Sequence, residues 1–393
     1  MKRSRHLIEA SVALVLVSVS VAVASAHASP AGRAAPPSWK VVPSPNVGSY
    51  YNELYGTVAL ASDDVWAVGY WTQASGWPRS LIEHWNGSAW KVVPAPHAGF
   101  ADSLKAVAAV SPTDIWAVGY FQEDGLDVGM IFTVHWDGGR WSEVPNEQPP
   151  TYSSVFNAVV ANSADDVWAV GDWYDIDREA VLTLAEHWDG TAWTISPTPN
   201  TGDFDNVLNG LDSTSSTDAW AAGTWWDGTK TQTLTLHWDG AAWTVVPSPN
   251  FGSGRNVLFA VDSLAPDDVW TVGGYYDDVN TTRTLVLRWD GLAWGEVPSP
   301  DLGDSATMLA VSALGAEDIW AAGSMVHAFG ETSRSLTEHW DGSAWRRTPS
   351  PSPGVPTALF GVSALSAWNA WAVGGAYDDS TGQFRTLILH CCR

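Results

Sequence analysis

A tryptophan returns at a nearly fixed interval along this chain. It stands at Trp66, Trp116, Trp168, Trp220, Trp270, Trp320 and Trp371, so successive copies lie 50, 52, 52, 50, 50 and 51 residues apart. Each copy sits in a run such as Asp268-Val269-Trp270-Thr271-Val272-Gly273. A second run follows in most units, such as Arg288-Trp289-Asp290-Gly291 with Trp294. A fixed period of this size marks a repeat architecture, whose units bury their apolar faces only against neighbours. Length alone, at 393 residues, suggests two or three domains. The repeat replaces that expectation with one closed body.

Each unit carries four short segments of strand character. The first lies upstream of the Asp-x-Trp turn, as in Leu104-Lys105-Ala106-Val107 or Leu258-Phe259-Ala260-Val261. A large apolar residue alternates there with Gly or Ala two positions later, which is the same face of a strand. The Trp-Ala-Val-Gly run is the second, and Leu234-Thr235-Leu236-His237-Trp238 exemplifies the third. The fourth is Trp243-Thr244-Val245-Val246, stopped by Pro247-Ser248-Pro249. Asp-x-Trp and Trp-Asp-Gly read as tight turns, whereas the links after Trp-Ala-Val-Gly and after Pro-x-Pro vary in length. Four antiparallel strands per unit of about 50 residues predict a β-propeller.

The count of segments predicts how the ring closes. Trp-Ala-Val-Gly runs occur seven times, but complete hairpins ending in the fourth-strand tryptophan follow only six of them. The seventh unit reaches Leu387-Ile388-Leu389-His390 without a fourth strand. An unaccompanied fourth strand, Trp39-Lys40-Val41-Val42-Pro43, stands at the other end and matches Trp90-Lys91-Val92-Val93-Pro94. The expected fold is therefore all-β, a seven-bladed propeller of four antiparallel strands per blade, with the N-terminal strand completing the last blade. Its domain spans residues 38–393.

Residues 1–28 read as a secretory signal. Lys2, Arg3 and Arg5 precede an apolar run from Ser11 to Ala24, and Ala24-Ser25-Ala26 and Ala26-His27-Ala28 are small-x-small cleavage sequences. That run is shorter than the ~20 residues of a spanning helix. Residues 29–37 form an Ala- and Pro-rich leader. The only cysteines are Cys391 and Cys392, and adjacent cysteines rarely bridge each other, so no disulfide framework is expected. Asp and Glu outnumber Lys and Arg by 43 to 19, a net charge of −24. Such a surface repels phosphate backbones and anionic lipid, which argues against nucleic-acid and membrane partners.

The units resemble the kelch or galactose-oxidase-central-domain type of bacterial propeller. Val272-Gly273-Gly274-Tyr275 and Val373-Gly374-Gly375 look like the kelch double glycine, and the tryptophan opening the fourth strand resembles the kelch tryptophan. The resemblance covers Trp39 to His390 and implies the propeller fold. Galactose oxidase implies a copper site with a Cys-modified Tyr. Two terminal cysteines do not supply that crosslink.

His84, His135, His187, His237, His339 and His390 share one repeat column, completed by Arg288. Asp64, Asp114, Asp166, Asp218, Asp268 and Asp318 share another, completed by Asn369. Antiparallel pairing of the second and third strands sets the two columns side by side. Repetition around a ring separates equivalent atoms, and an Arg donates to a carboxylate but ligates no metal. These pairs are expected to be scaffold. Of 26 tryptophans, twenty fall in three repeat columns and are expected to pack blade against blade.

Function is expected where the units stop agreeing. Trp71, Trp173, Tyr174, Asp175, Trp225, Trp226, Asp227, Tyr275, Tyr276, Asp277, Tyr377 and Asp378 cluster in or around the variable link between second and third strands. Propeller topology puts these links on the face opposite the tight turns, and loops on a rigid scaffold are where binding concentrates. Aromatic rings with carboxylates suit sugar stacking, peptide anchoring or Ca²⁺-assisted contact; self-packing turns are the competing explanation. No Gly-x-Ser-x-Gly, no His-Glu-x-x-His and no cysteine nucleophile lies in the body of the chain. Outside the repeat column the mature chain offers only His97 and His327. The expectation is a secreted, monomeric, non-enzymatic propeller presenting an aromatic-acidic face to carbohydrate or protein. The alternative is a polysaccharide-acting enzyme with carboxylates at the central mouth.

Overall fold

In the computed structural model, residues 38–48, 50–123, 129–150, 153–279, 281–300, 302, 305–326 and 332–392 are described. The signal and leader, residues 1–37, and His327 lie outside them. Twenty-eight strands form seven four-stranded antiparallel sheets. Six blades take their strands a to d in sequence order. Blade 4, for example, comprises a (Asn206–Ser215), b (Asp218–Trp226), c (Thr231–Trp238) and d (Trp243–Val245). The seventh takes Thr357–Ser366, Asn369–Asp378 and Gln383–Cys391 from the C-terminal end and Trp39–Val41 from the N-terminal end. Trp39 pairs with Cys391, Lys40 with His390 and Val41 with Leu389.

The a strands of neighbouring blades touch around the ring and so form its inner wall. Each carries a bulge at one repeat position, where Tyr55, Lys105, Asn157, Asn209, Phe259, Leu309 and Phe360 are the extra residues. The residues just before them, from Leu54 to Leu359, are fully buried between blades. A bulge of this kind brings strand a close to strand b, which explains the glycine of the Trp-Ala-Val-Gly run. A Cβ on Gly273 would lie 1.9 Å from the Val257 carbonyl oxygen, and the other six blades repeat the clash within 1.9–2.0 Å.

Tryptophan fills the wedges between blades. The strand-b ring of one blade meets the strand-c and strand-d rings of the next, as Trp168 does with Trp238 at 4.8 Å and Trp243 at 5.5 Å. The last wedge is closed by the N-terminal strand: Trp39 stands edge-on to Trp320 at 5.3 Å and donates from Nε1 to Thr348 Oγ1. Such pairs add roughly 0.5–1.5 kcal/mol each beyond their buried area. In blade 7 Cys391 occupies the place of the strand-c tryptophan. Its sulfur lies against that of Cys392. Cys391 stays in the ladder, while Cys392 turns out of it with φ of 84° and donates its amide to Ser38 O.

The Asp and His columns meet within each blade. His84, His135, His187, His237 and His339 place Nε2 2.6–2.8 Å from the Oδ1 of Asp64, Asp114, Asp166, Asp218 and Asp318. His390 pairs with Asn369 at 2.9 Å, and Arg288 donates to Asp268 at 2.7 Å. Each of these histidines also lies over the strand-b tryptophan of its own blade, at 4.1–4.5 Å between centroids. The columns are turn-pinning scaffold.

Candidate functional site

Links between b and c and between d and a share one face; the tight a–b and c–d turns share the other. The sequence reading set the aromatic candidates in or around the b–c link, and the structure places them in strand b itself. Trp71, Trp173, Tyr174, Asp175, Trp225, Trp226, Tyr275, Tyr276, Tyr377 and Asp378 all belong to strand b, and only Asp227 and Asp277 lie in the link. The cause is that strand a starts early enough to supply partners, with Asn52 opposite Trp71, Asn206 opposite Trp225 and Asn256 opposite Tyr275.

Strand alternation then sorts the rings. Trp71, Trp173, Trp225 and Tyr275 are half-buried and pack on the interblade cores. One position further on, Tyr174 and Trp226 turn outward and are each 37 % exposed. In that outward column Tyr276 lies under Arg255, with 4.8 Å from guanidinium to ring, and Tyr377 packs edge-on against Phe384.

The acids are engaged by their own turns. Asp175 Oδ1 accepts the amides of Asp177 and Arg178. Asp227 Oδ1 accepts from Thr229 and Lys230, and its Oδ2 accepts from Gln232. Asp277 accepts the amides of Val279 and Thr281 and the Nε of Arg283 at 2.9 Å. Asp378 accepts from the amide and hydroxyl of Ser380. The Thr229 hydroxyl and its neighbours hold Asp227 well below the usual carboxylate range, and the Thr281 amide lowers Asp277. These are Asx turns that close the b–c hairpin. Among the described residues no group of three His, Cys, Asp or Glu is placed to hold a metal ion.

A second aromatic set was missed because it lies in the d–a link. Tyr50 (53 %), Tyr51 (46 %), Phe100 (37 %) and Phe204 (49 %) are exposed, as is Trp77 (38 %) from the b–c link of blade 1. Trp77 meets Phe100 edge-on at 4.6 Å, and Tyr51 stacks on Phe384 at 5.2 Å. The signal was present in the repeat. Tyr50, Phe100 and Phe204 each stand two residues before Asn52, Asp102 and Asn206, buried polar residues that open strand a. Those residues tether the link: Asn206 accepts from the amide of Thr201 and donates to Thr201 O and Phe204 O.

Clefts open on this face. One, of about 470 Å³, is lined by Pro149, Pro150, Trp173, Asp175 and Arg178; another, of about 260 Å³, by Tyr275, Asp277, Arg283 and Leu302. Each sets an aromatic ring beside an Asp–Arg pair, at 3.7 Å for Asp175–Arg178 and 2.9 Å for Asp277–Arg283.

Four carboxylates occupy the inner part of the ring. Asp172 accepts from Asn157 Nδ2, and burial raises it to about 6. Asp212 and Asp262, in adjacent a strands, accept the amides of Ser263 and Ala313 in the following blade. Burial raises both, Asp262 to about 6, and the Asp262 charge raises Asp212 further. Glu53 is also raised by burial, and it accepts from the hydroxyls of Tyr55 and Tyr70. Of the two histidines outside the repeat column, His97 faces Asp102 at 3.1 Å.

No protein-family model matches the sequence, and no curated protein matches it. Solved structures do share the fold. YCF48 bound to D1 peptide aligns with a TM-score of 0.56 at 15 % identity, over 91 % of this chain and 97 % of that one. YCF48 from Cyanidioschyzon merolae aligns with a TM-score of 0.53 at 15 % identity, over 90 % and 98 %. An ulvan lyase of polysaccharide lyase family PL25, bound to -[GlcA(1-4)Rha3S]-, aligns at 0.51 with 9 % identity, over 89 % and 94 %. At these identities the likeness is one of fold.

Proposed function

We propose that the chain is a secreted, non-enzymatic binding propeller whose loop face takes a carbohydrate or protein ligand. The observation that carries this reading is the set of exposed rings on one face, Tyr50, Tyr51, Trp77, Phe100, Tyr174, Phe204 and Trp226. Solvent-facing aromatics on a rigid scaffold supply contact area with little ordering cost, for a sugar face or an apolar side chain alike. Apart from Trp77 in the b–c link, their backbones are fixed by strand b or by the tethered d–a link, so the arrangement is largely preorganised. The acids contribute by shaping this face rather than by direct ligation. A peptide-binding propeller and a saccharide-bound one both occur among the structures of like fold.

Binding to glycan and peptide arrays tests the proposal, with Phe204→Ala and Trp226→Ala as paired variants. Ligand capture lost in both variants, with melting temperature unchanged, supports it. Capture that survives both changes overturns it. Secretion is tested separately, by recovery of a chain processed near Ala28 from the medium of the producing cells.

The second reading, a polysaccharide-acting enzyme, is favoured by Asp172 and Asp262, whose burial lifts them to about 6 near the axis. Carboxyls so raised can serve as general acids. Turnover of a polysaccharide that is lost in Asp172→Asn or Asp262→Asn, and retained in Phe204→Ala, establishes that reading instead.

A further inference from the structure

One sector of the inner wall breaks the repeat with a cluster of ionisable groups. The bulge position holds Tyr55 in blade 1 and Lys105 in blade 2, against Phe259, Leu309 and Phe360 in blades 5 to 7. The strand-b position nearest the bulge holds Tyr70 and Tyr120 in blades 1 and 2, but Gly274 and Gly375 in blades 5 and 7. The missing side chain at Gly375 makes the room into which Glu53 tucks, since a Cβ there would lie 3.0 Å from Glu53 Cγ.

The charges of this cluster are only partly matched: Glu53 and Lys105 attract each other, without an ion-pair contact among the described residues. Glu53 Oε2 takes the hydroxyls of Tyr55 at 3.3 Å and Tyr70 at 3.1 Å. Lys105 Nζ lies 4.1 Å above the Tyr55 ring and 5.8 Å from that of Tyr120. Among the described residues it has no hydrogen-bond acceptor, although an ammonium carries three donors. The neighbouring bulge residues are committed, Asn157 Nδ2 to Leu208 O and Asn209 Nδ2 to Leu258 O, both at 2.9 Å. Phe360 stands edge-on to Tyr55 at 5.3 Å, so apolar surface begins directly beside the cation. Burial lowers the Lys105 pKa from its ordinary value, and the Glu53 charge offsets this only in part.

We propose that Lys105 is the cation of an axial site for a small organic carboxylate, with the apolar body of the ligand directed toward Phe360 and the rings beside it. The site is separate from the loop face and does not depend on the reading given for that face. A cation held on aromatic rings, only partly offset by the Glu53 charge and bordered by apolar surface on one side, matches a carboxylate with a hydrocarbon body. A fully hydrated anion such as sulfate would leave that apolar surface uncovered. The overall charge of −24 opposes entry of any anion, so affinity must come from Lys105 and the apolar border together. That combination corresponds to binding of about millimolar strength for a ligand of benzoate size.

Benzoate is the probe, titrated into the full chain carrying ¹³Cε-labelled lysine. Lys105 is one of only five lysines in the sequence, so Lys105→Met identifies its resonance while keeping an unbranched side chain over Tyr55. The expected result is a saturable shift of the Lys105 signal, abolished in Lys105→Met and retained in Lys105→Arg. Phe360→Ala should weaken the binding by about tenfold. Absence of a saturable shift up to about 50 mM benzoate, far above millimolar affinity, overturns the proposal. Equal calorimetric binding of benzoate by Lys105→Met overturns it as well. Sulfate or phosphate producing the same shift at equal strength overturns the assignment to an apolar carboxylate. Loop-face variants such as Trp226→Ala should leave this titration unchanged, which keeps the outcome distinct from that for the loop face.

Discussion

Arg288 Nε donates to Asp268 Oδ1 at 2.7 Å, in the place where the other blades set a histidine against their turn residue. The same Asp268 oxygen accepts from Trp270 Nε1 at 2.9 Å, so one carboxylate holds the b–c ladder and the buried ring together. Asp268→Ala strands the indole donor and frees the guanidinium. The expected loss is about 1–3 kcal/mol, read as a lower melting temperature with loop-face ligand affinity unchanged. A fall in affinity without a fall in stability would return these columns to the list of functional residues.

Three buried glutamates give the fold a pH dependence of definite sign. Glu83, Glu186 and Glu338 share a strand-c column that is otherwise Val134, Leu236, Leu287 and Leu389, all in interblade cores. Both carboxylate oxygens of Glu83 and of Glu338, and one of Glu186, lack a partner among the described residues. Burial raises each to about 8 from an ordinary value near 4.5. Between these values the folded chain holds protons that the unfolded chain releases. Stability is therefore fully present below pH ~4.5 and declines as pH rises toward ~8, by up to roughly 5 kcal/mol per group. Denaturant melts of Glu83→Gln across this range should show a shallower decline than the parent chain.

Neighbouring tryptophans should respond oppositely to truncation. Trp225 packs on the blade 3–4 core, whereas Trp226 faces solvent. Trp225→Ala should cost roughly 2–4 kcal/mol, and Trp226→Ala less than about 0.5. Urea melts of the two variants decide this, and equal losses would contradict the alternation that places them.

Ring closure rests on one side chain more than on any other residue of the N-terminal strand. Trp39 is 4 % exposed, while Lys40 and Val41 beside it are exposed. Trp39→Ala should cost about 3–5 kcal/mol and raise hydrogen exchange in Thr386 to Cys391. Exchange unchanged in that strand would show that blade 7 does not need its fourth strand.

Gly273→Ala tests the reason for the repeated glycine. With the Val257 carbonyl oxygen 1.9 Å from the added carbon, the cost should be about 3 kcal/mol or more. A thermal melt that moves little would mean the bulge in strand a relaxes.

The ring, its seven blades and its closure were legible because each is set by counting: one tryptophan per period and one fourth strand out of place. The turn-pinning pairs were legible for the same reason. Column position does not reveal the role of a residue that leaves the pattern. Asp227 and Asp277 drew notice as acids beside aromatics, yet their oxygens close their own hairpins, a use invisible without backbone geometry. Phe100 and Phe204 escaped notice because the long strand b drew attention to one link, while exposure singles out the other. Lys105 read as an ordinary strand residue, because a bulge, which decides what reaches the axis, has no single-sequence signature.

The shared seventh blade also fixes how the molecule faces its surroundings. Ser38 and Cys392 meet where strand c hands over to strand d, on the side of the tight turns. The backbone at Ser38 and at Cys392 therefore lies on the face opposite the exposed rings.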